Sequence, residues 1–251
     1  MENTSDQILS VIKSKLKGPF FEAQELYEIL RKSESDLPLS TFRWRLYRLK
    51  SLGKIESIGR GKYSLTKHSQ FSIELNSKLQ RIAKEVKKEF PYANYCLWSS
   101  DILNEFTIHQ PMMSFAIVEV ERDAVSAVFS FLKEKHRSVF LNPKEKEINL
   151  YLGNNNKSLI VKTLIQRSPT EKSKTSKFSI PKLEKILIDL LVDTDLFSFY
   201  QGSELKNIWR EAFKKYSINQ STLNNYAKKR YVQDQAFNLI NEIKSLDKGN
   251  I

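Results

Sequence analysis

The chain has 251 residues, 40% of them hydrophobic and 11% aromatic, which is enough to fill a core and excludes global disorder. Its net charge of +12 points to a polyanionic partner, nucleic acid or acidic lipid. A single cysteine, Cys96, excludes an internal disulfide and a four-cysteine zinc site, and His68, His109 and His136 lie too far apart for metal-ligand spacing.

Residues 5–16 place Ile8, Leu9, Ile12 and Leu16 at helical spacing. A break at Gly18-Pro19 and the pair Phe20-Phe21 lead into EAQELYEILRK, whose Leu26, Ile29 and Leu30 form a second stripe. After the turn-rich SESDLPLS, Ser40 is expected to N-cap a third helix carrying Phe42, Leu46 and Leu49. Beyond Gly53 the period changes to two: Ile55, Ile58, Tyr63 and Leu65 flank the turn Gly59-Arg60-Gly61. Three short helices and a hairpin predict a winged helix-turn-helix domain over 1–66.

A connecting helix is expected within 67–90, on Ile73, Leu75, Leu79, Ile82 and Val86, ending before Pro91. An α+β domain then runs over 91–247. Up to 166 it mixes strands and helices, with strands expected at 95–98, 114–120, 138–141, 148–152 and 158–165 and a helix at 123–135. The lysine-rich SPTEKSKTSKFSI reads as an unpatterned loop over 167–180, and 181–247 as helical. The fold class is therefore α+β: an N-terminal winged helix followed by a mixed α/β domain with a helical end.

The segment from Ser40 to Tyr63 carries seven basic residues (Arg43, Arg45, Arg48, Lys50, Lys54, Arg60 and Lys62) against one acid, Glu56. A solvated helix face mixes signs, so this imbalance favours a nucleic-acid surface over an ordinary charged face. With Phe42, Leu46 and Leu49 turned inward, Ser40, Trp44, Tyr47 and Arg48 face outward, with Arg43 and Lys50 on a shoulder. Arginine pairs bidentately with guanine edges, and serine and tyrosine hydroxyls reach phosphates. Arg60 and Lys62, at the hairpin tip, are expected on the backbone or minor groove. The alternative is a winged-helix module that binds protein and never DNA.

The order of a winged helix, a mixed middle and a helical end entered by PKLEKILIDLL resembles the AbiEi-type antitoxins of type IV toxin–antitoxin and phage-abortive systems. The resemblance is carried by Pro181, Glu184, Leu187, Asp189 and Leu190, and by YCLWSSDILNEFTIHQP as a middle-domain opening. It implies a DNA-binding autorepressor that binds its own promoter through Arg43, Trp44, Tyr47, Arg48, Arg60 and Lys62. It also implies a nucleotidyltransferase-like toxin as the partner countered by the C-terminal domain.

An enzyme is the third reading. Glu119 and Glu121 alternate on an expected strand with Asp101 upstream, a loose echo of metal-dependent nucleases, but no lysine follows at the matching strand position. The simpler expectation is an exposed strand end. His109 and His136 lack a nucleophile at readable spacing, Cys96 reads as a buried thiol, and Trp98 and Trp209 as core or interface aromatics. Neither metal nor cofactor is expected. The basic C-terminal residues Lys206, Arg210, Lys214, Lys215, Lys228, Lys229 and Arg230 read as a solvated face, with DNA or an acidic partner as alternatives. No stretch approaches the ~20 apolar residues that cross a bilayer. The polar MENTSDQILSVIKSKLKG has no apolar core of signal-peptide length. The expectation is a reduced cytoplasmic protein, with no membrane partner.

Overall fold

The computed structural model describes residues 4–16, 20–65, 69–108, 114–152 and 158–248. The Gly18-Pro19 break, His68, His109 and the end of the IHQP segment lie outside the described residues. The chain is α+β and divides into two compact units, residues 1–70 with 214–217, and 71–213 with 218–251. No helix among the described residues is long and apolar enough to cross a membrane.

The first unit runs α1 (Thr4–Lys15), β1 (Phe21–Glu22), α2 (Ala23–Arg31), α3 (Leu39–Ser51), β2 (Ile55–Gly59) and β3 (Lys62–Leu65). Its sheet has the order β1-β3-β2, both pairs antiparallel. The helical stripes meet in one core, in which Ile12, Leu26, Leu49 and Ile55 are essentially inaccessible. Tyr27 ties α2 to α3: its hydroxyl donates to the Leu37 carbonyl at 3.0 Å and its ring lies 4.9 Å from that of Phe42.

Two ends of α3 are decided locally. Ser40 is not its N-cap. The helix begins at Leu39, because Pro38 holds an extended φ of −67° and ψ of 144° while its carbonyl accepts the Phe42 N–H at 3.0 Å. Ser40 therefore sits one residue inside the first turn. At the other end the Gly53 N–H donates to the Lys50 carbonyl and the Lys54 N–H to that of Leu49, both at 2.9 Å. This is the paired closure of a Schellman motif, with Gly53 at φ +59°. Gly53→Ala is expected to cost about 1–2 kcal/mol, because the left-handed backbone crowds a Cβ. A shift of the first unit's urea midpoint, with DNA-free protein, measures it.

The second unit runs α4 (Ser77–Glu89), β4 (Tyr95–Ser99), β5 (Phe115–Val120), α5 (Val125–Lys135), β6 (Val139–Leu141), α6 (Glu145–Glu147), β7 (Ser158–Thr163), β8 (Thr170–Lys172), β9 (Ser179–Pro181), α7 (Leu183–Val192), α8 (Ser203–Lys215), α9 (Gln220–Lys229) and α10 (Gln233–Lys248). Its main sheet has the order β4-β5-β7-β6: β4 is antiparallel to β5, and β5, β7 and β6 are parallel. Every residue of β5 is buried, as a strand covered on both faces must be. The C-terminal ends of α4 and α5 meet, with the rings of Phe90 and Phe131 edge to face at 5.6 Å and His136 2.9 Å from Glu85.

Two sequence expectations fail here. Residues 148–152 are not a strand. The Glu147 carboxylate accepts the Lys144 N–H at 2.8 Å, which starts a helical turn that continues through Ile148–Leu152 in π form. The stretch 168–180 is not an unpatterned loop either: β8 and β9 pair antiparallel, Thr170 opposite Pro181, and bury Ser173 and Ile180.

Candidate nucleic-acid interface

The outer face of α3 follows from its core stripe. With Phe42, Leu46 and Leu49 buried, Arg43, Trp44, Tyr47 and Arg48 form one exposed band at i, i+1, i+4 and i+5, and Ser40 and Ser51 extend it at both ends. Trp44 is 56% and Tyr47 69% exposed, so both rings are open to a partner. The Arg48 guanidinium lies 5.3 Å from the Trp44 ring centroid, a cation–π contact that holds the fork against a flat platform. Lys50 is half-buried on the shoulder.

Arg45 leaves the basic set. Only 17% of its side chain is exposed, and its guanidinium bonds Glu34 at 2.8–2.9 Å, fastening α3 to the turn that follows α2. At the hairpin, Arg60 is exposed in the two-residue turn with Gly61, whose φ is +72°. Lys62 sits 5.6 Å over the Phe20 ring and 3.6 Å from Glu22. The α3 band and the hairpin pair are not joined to each other by a hydrogen bond or ion pair among the described residues.

The carboxylates weighed for catalysis are each engaged elsewhere. Glu119 is 1% exposed rather than at an exposed strand end, and receives the Trp98 indole N–H at 3.2 Å and the Lys185 ammonium at 2.6–2.8 Å. Glu121 accepts from Asn94 and Asp101 from Ser99. Each of these three carboxylates therefore has a polar partner.

Glu119 instead opens a buried ionic network that sequence reasoning missed. Lys185 bridges it to Asp189, which also accepts from Arg230 and, at 2.8 Å, from the Tyr226 hydroxyl. Arg230 continues to Asp193 at 2.9 Å, and Asp193 pairs with Lys162. Three cations thus meet three anions. Burial alone would push the Lys185 pKa down, but Asp189 and Glu119 outweigh it and hold it well above its ordinary value. Burial would likewise raise the Asp189 pKa, but Lys185, Lys162 and Arg230 hold it below the ordinary carboxylate range. Cys96, buried beside them, has its thiol pushed up by burial and then by Glu119, so it is a poor nucleophile. The network joins α7 and α9 to the sheet. Arg230 accordingly is no part of a solvated face. The one sequence signal was a Lys and an Asp at i, i+4 inside a helix whose only other charge is Glu184.

Beside this network a cleft of about 220 Å³ opens at the C-terminal ends of β6 and β7. It is smaller than most ligand pockets. Its charges are already paired, Lys162 with Asp193 and Lys144 with Asp195 at 3.0 Å.

Residues 41–246 match the profile of a family of unknown function, DUF6577. The chain belongs to that family. Comparison with curated proteins returned no match. The DUF6577 match begins at the third residue of α3 and runs into α10. It therefore takes in the exposed α3 band, the hairpin and the buried network, while α1, β1 and α2 precede it. The family description assigns no activity.

Proposed function

We propose that the first unit is a winged helix that docks α3 in the major groove of duplex DNA, with the β2–β3 hairpin as its wing. The observation that carries the reading is the outward band Arg43, Trp44, Tyr47 and Arg48, which holds no acidic residue. The helix order and the β1-β3-β2 sheet support it. In this reading Arg48, held on Trp44, reads a base edge, while Arg43, Lys50, Arg60 and Lys62 neutralise phosphates and Ser40 and Tyr47 add hydroxyl contacts.

The expected behaviour is specific. Four phosphate contacts give a slope of log K against log salt of about −3.6. Arg48→Ala is expected to cost ~1–3 kcal/mol and to relax base preference at one position, whereas Lys62→Ala weakens all sequences alike and reduces the slope by about one. Fluorescence anisotropy on the DNA upstream of the gene, over a salt series, reads both effects. Unchanged binding by Arg48→Ala removes that residue from the readout.

The resemblance to AbiEi-type antitoxins extends the proposal to a cytoplasmic autorepressor that binds its own promoter and counters a nucleotidyltransferase-like toxin. Its test is the neighbouring gene: such a toxin should arrest growth when expressed alone and cease to do so with this protein. Growth arrest that persists would contradict the antitoxin reading while leaving DNA binding intact. The exposed Trp44, Tyr47 and Leu39 favour one second reading, a protein-docking face, since aromatic anchors dominate such interfaces.

A further inference from the structure

We propose that α9 is a second duplex-DNA contact, carried by the other unit and separate from α3. Its inner face is fixed. Leu223, Tyr226 and Ala227 are buried, Tyr226 and Arg230 are bonded to Asp189, the Asn219 side chain caps the Thr222 N–H at 3.0 Å, and the Asn219 N–H donates to Glu184 at 2.7 Å. A rigidly held helix presents its outer arc without further backbone ordering cost.

That arc consists of Gln220, Ser221, Asn224, Asn225, Lys228 and Lys229, all exposed. They recur at i, i+1, i+4, i+5, i+8 and i+9, so they share one side of a helix about 15 Å long. No Asp or Glu occurs between Glu211 and Asp234. An ordinary solvated face mixes signs, and this one has none of the negative sign. Lys228 and Lys229 have no ion-pair partner among the described residues, whereas the neighbouring Arg230 pairs with Asp189 and Asp193.

The tandem asparagines argue hardest. Asn is a poor residue for an exposed helix interior, where Glu, Lys or Ala would stabilise. The side chains of Asn224 and Asn225 make no hydrogen bond among the described residues, so no structural gain offsets that cost. What asparagine and glutamine amides offer is a matched donor and acceptor for the N6 and N7 edge of adenine. Lysines one turn further along suit the flanking phosphates. Polyanionic charge complementarity and adenine-edge chemistry together select duplex DNA with A·T pairs as the occupant.

The experiment uses the full chain carrying Arg43→Ala/Arg48→Ala, which removes the base-reading arginine and one phosphate contact of α3, and measures anisotropy on one A·T-rich and one G·C-rich duplex of equal length. Lys228→Ala/Lys229→Ala is expected to make the salt slope shallower by about 1.8 on both duplexes, two released contacts at 0.9 each. Asn224→Ala/Asn225→Ala is expected to lower the A·T preference about tenfold with the slope unchanged. Every substituted side chain is exposed, and unchanged melting curves verify the fold. Absence of binding by the parent, or equal binding by parent and variants, overturns the proposal. So does α9-dependent binding that is stronger to single-stranded RNA than to either duplex. The outcome does not depend on α3: if Arg43→Ala/Arg48→Ala alone leaves promoter binding intact, the first-unit reading falls and α9 is judged on its own variants.

Discussion

Lys185→Met is expected to destabilise the second unit by about 3–5 kcal/mol. The side chain is 1% exposed and its ammonium neutralises two carboxylates that are equally buried. Methionine fills the space and removes the charge, leaving Glu119 desolvated with only the Trp98 N–H at 3.2 Å. Asp189 is less exposed to the loss, since Arg230 and Tyr226 still reach it. Adding Glu119→Leu should therefore recover most of the cost, because the remaining charges again balance. Urea midpoints of the single and double variants test this. A single variant costing less than 1 kcal/mol, or a double variant worse than the single, would contradict the network.

The same network sets a pH dependence. Asp189 is held below its ordinary value, so its contribution is present above about pH 4, the unfolded carboxylate range, and is lost as pH falls through the lowered folded value. Lys185 is held above its ordinary value, so its contribution is present below about pH 10 and is lost as pH rises through the raised folded value. These two groups give a flat plateau from about pH 5 to pH 10.

Leu49→Ala is expected to cost about 2–5 kcal/mol, confined to the first unit. Leu49 is fully buried in α3 and packs in the core that α1, α2 and β2 share, so its loss leaves a cavity beneath the basic band. Hydrogen exchange read by mass spectrometry should show protection falling in α1–α3 and in the hairpin, with β5 and β7 unchanged. Protection lost equally in β5 and β7 would show that the two units unfold together.

The legible parts of the fold are those with a strong local period. The helical stripes of the first unit and the alternation across 55–65 show a fixed repeat, and strands 115–120 and 158–163 show as short, largely apolar runs. What escaped depends on partners far away in the chain. Phe21 and Glu22 form a strand only because Tyr63 and Lys62 lie opposite. The polar run 170–181 has no alternation, yet pairs as a hairpin. The run INLYL alternates apolar residues but continues a helical turn started by Glu147. In the candidate interface the α3 band was readable because one helix carries it, whereas Arg45 looked like part of it until Glu34 was placed beside it. Glu119 is 66 residues from Lys185, and no short-range pattern could join them.

The central claim, that α3 reads DNA, is tested most directly by a gel shift on the DNA upstream of the protein's own gene. Scrambled DNA of equal length is run beside it at two salt concentrations, with Arg43→Ala/Arg48→Ala as the control protein. The account predicts preference for the native DNA, weakening with salt and lost in the variant. Equal shifts of native and scrambled DNA that vanish together with salt, and that the variant reproduces, would contradict it.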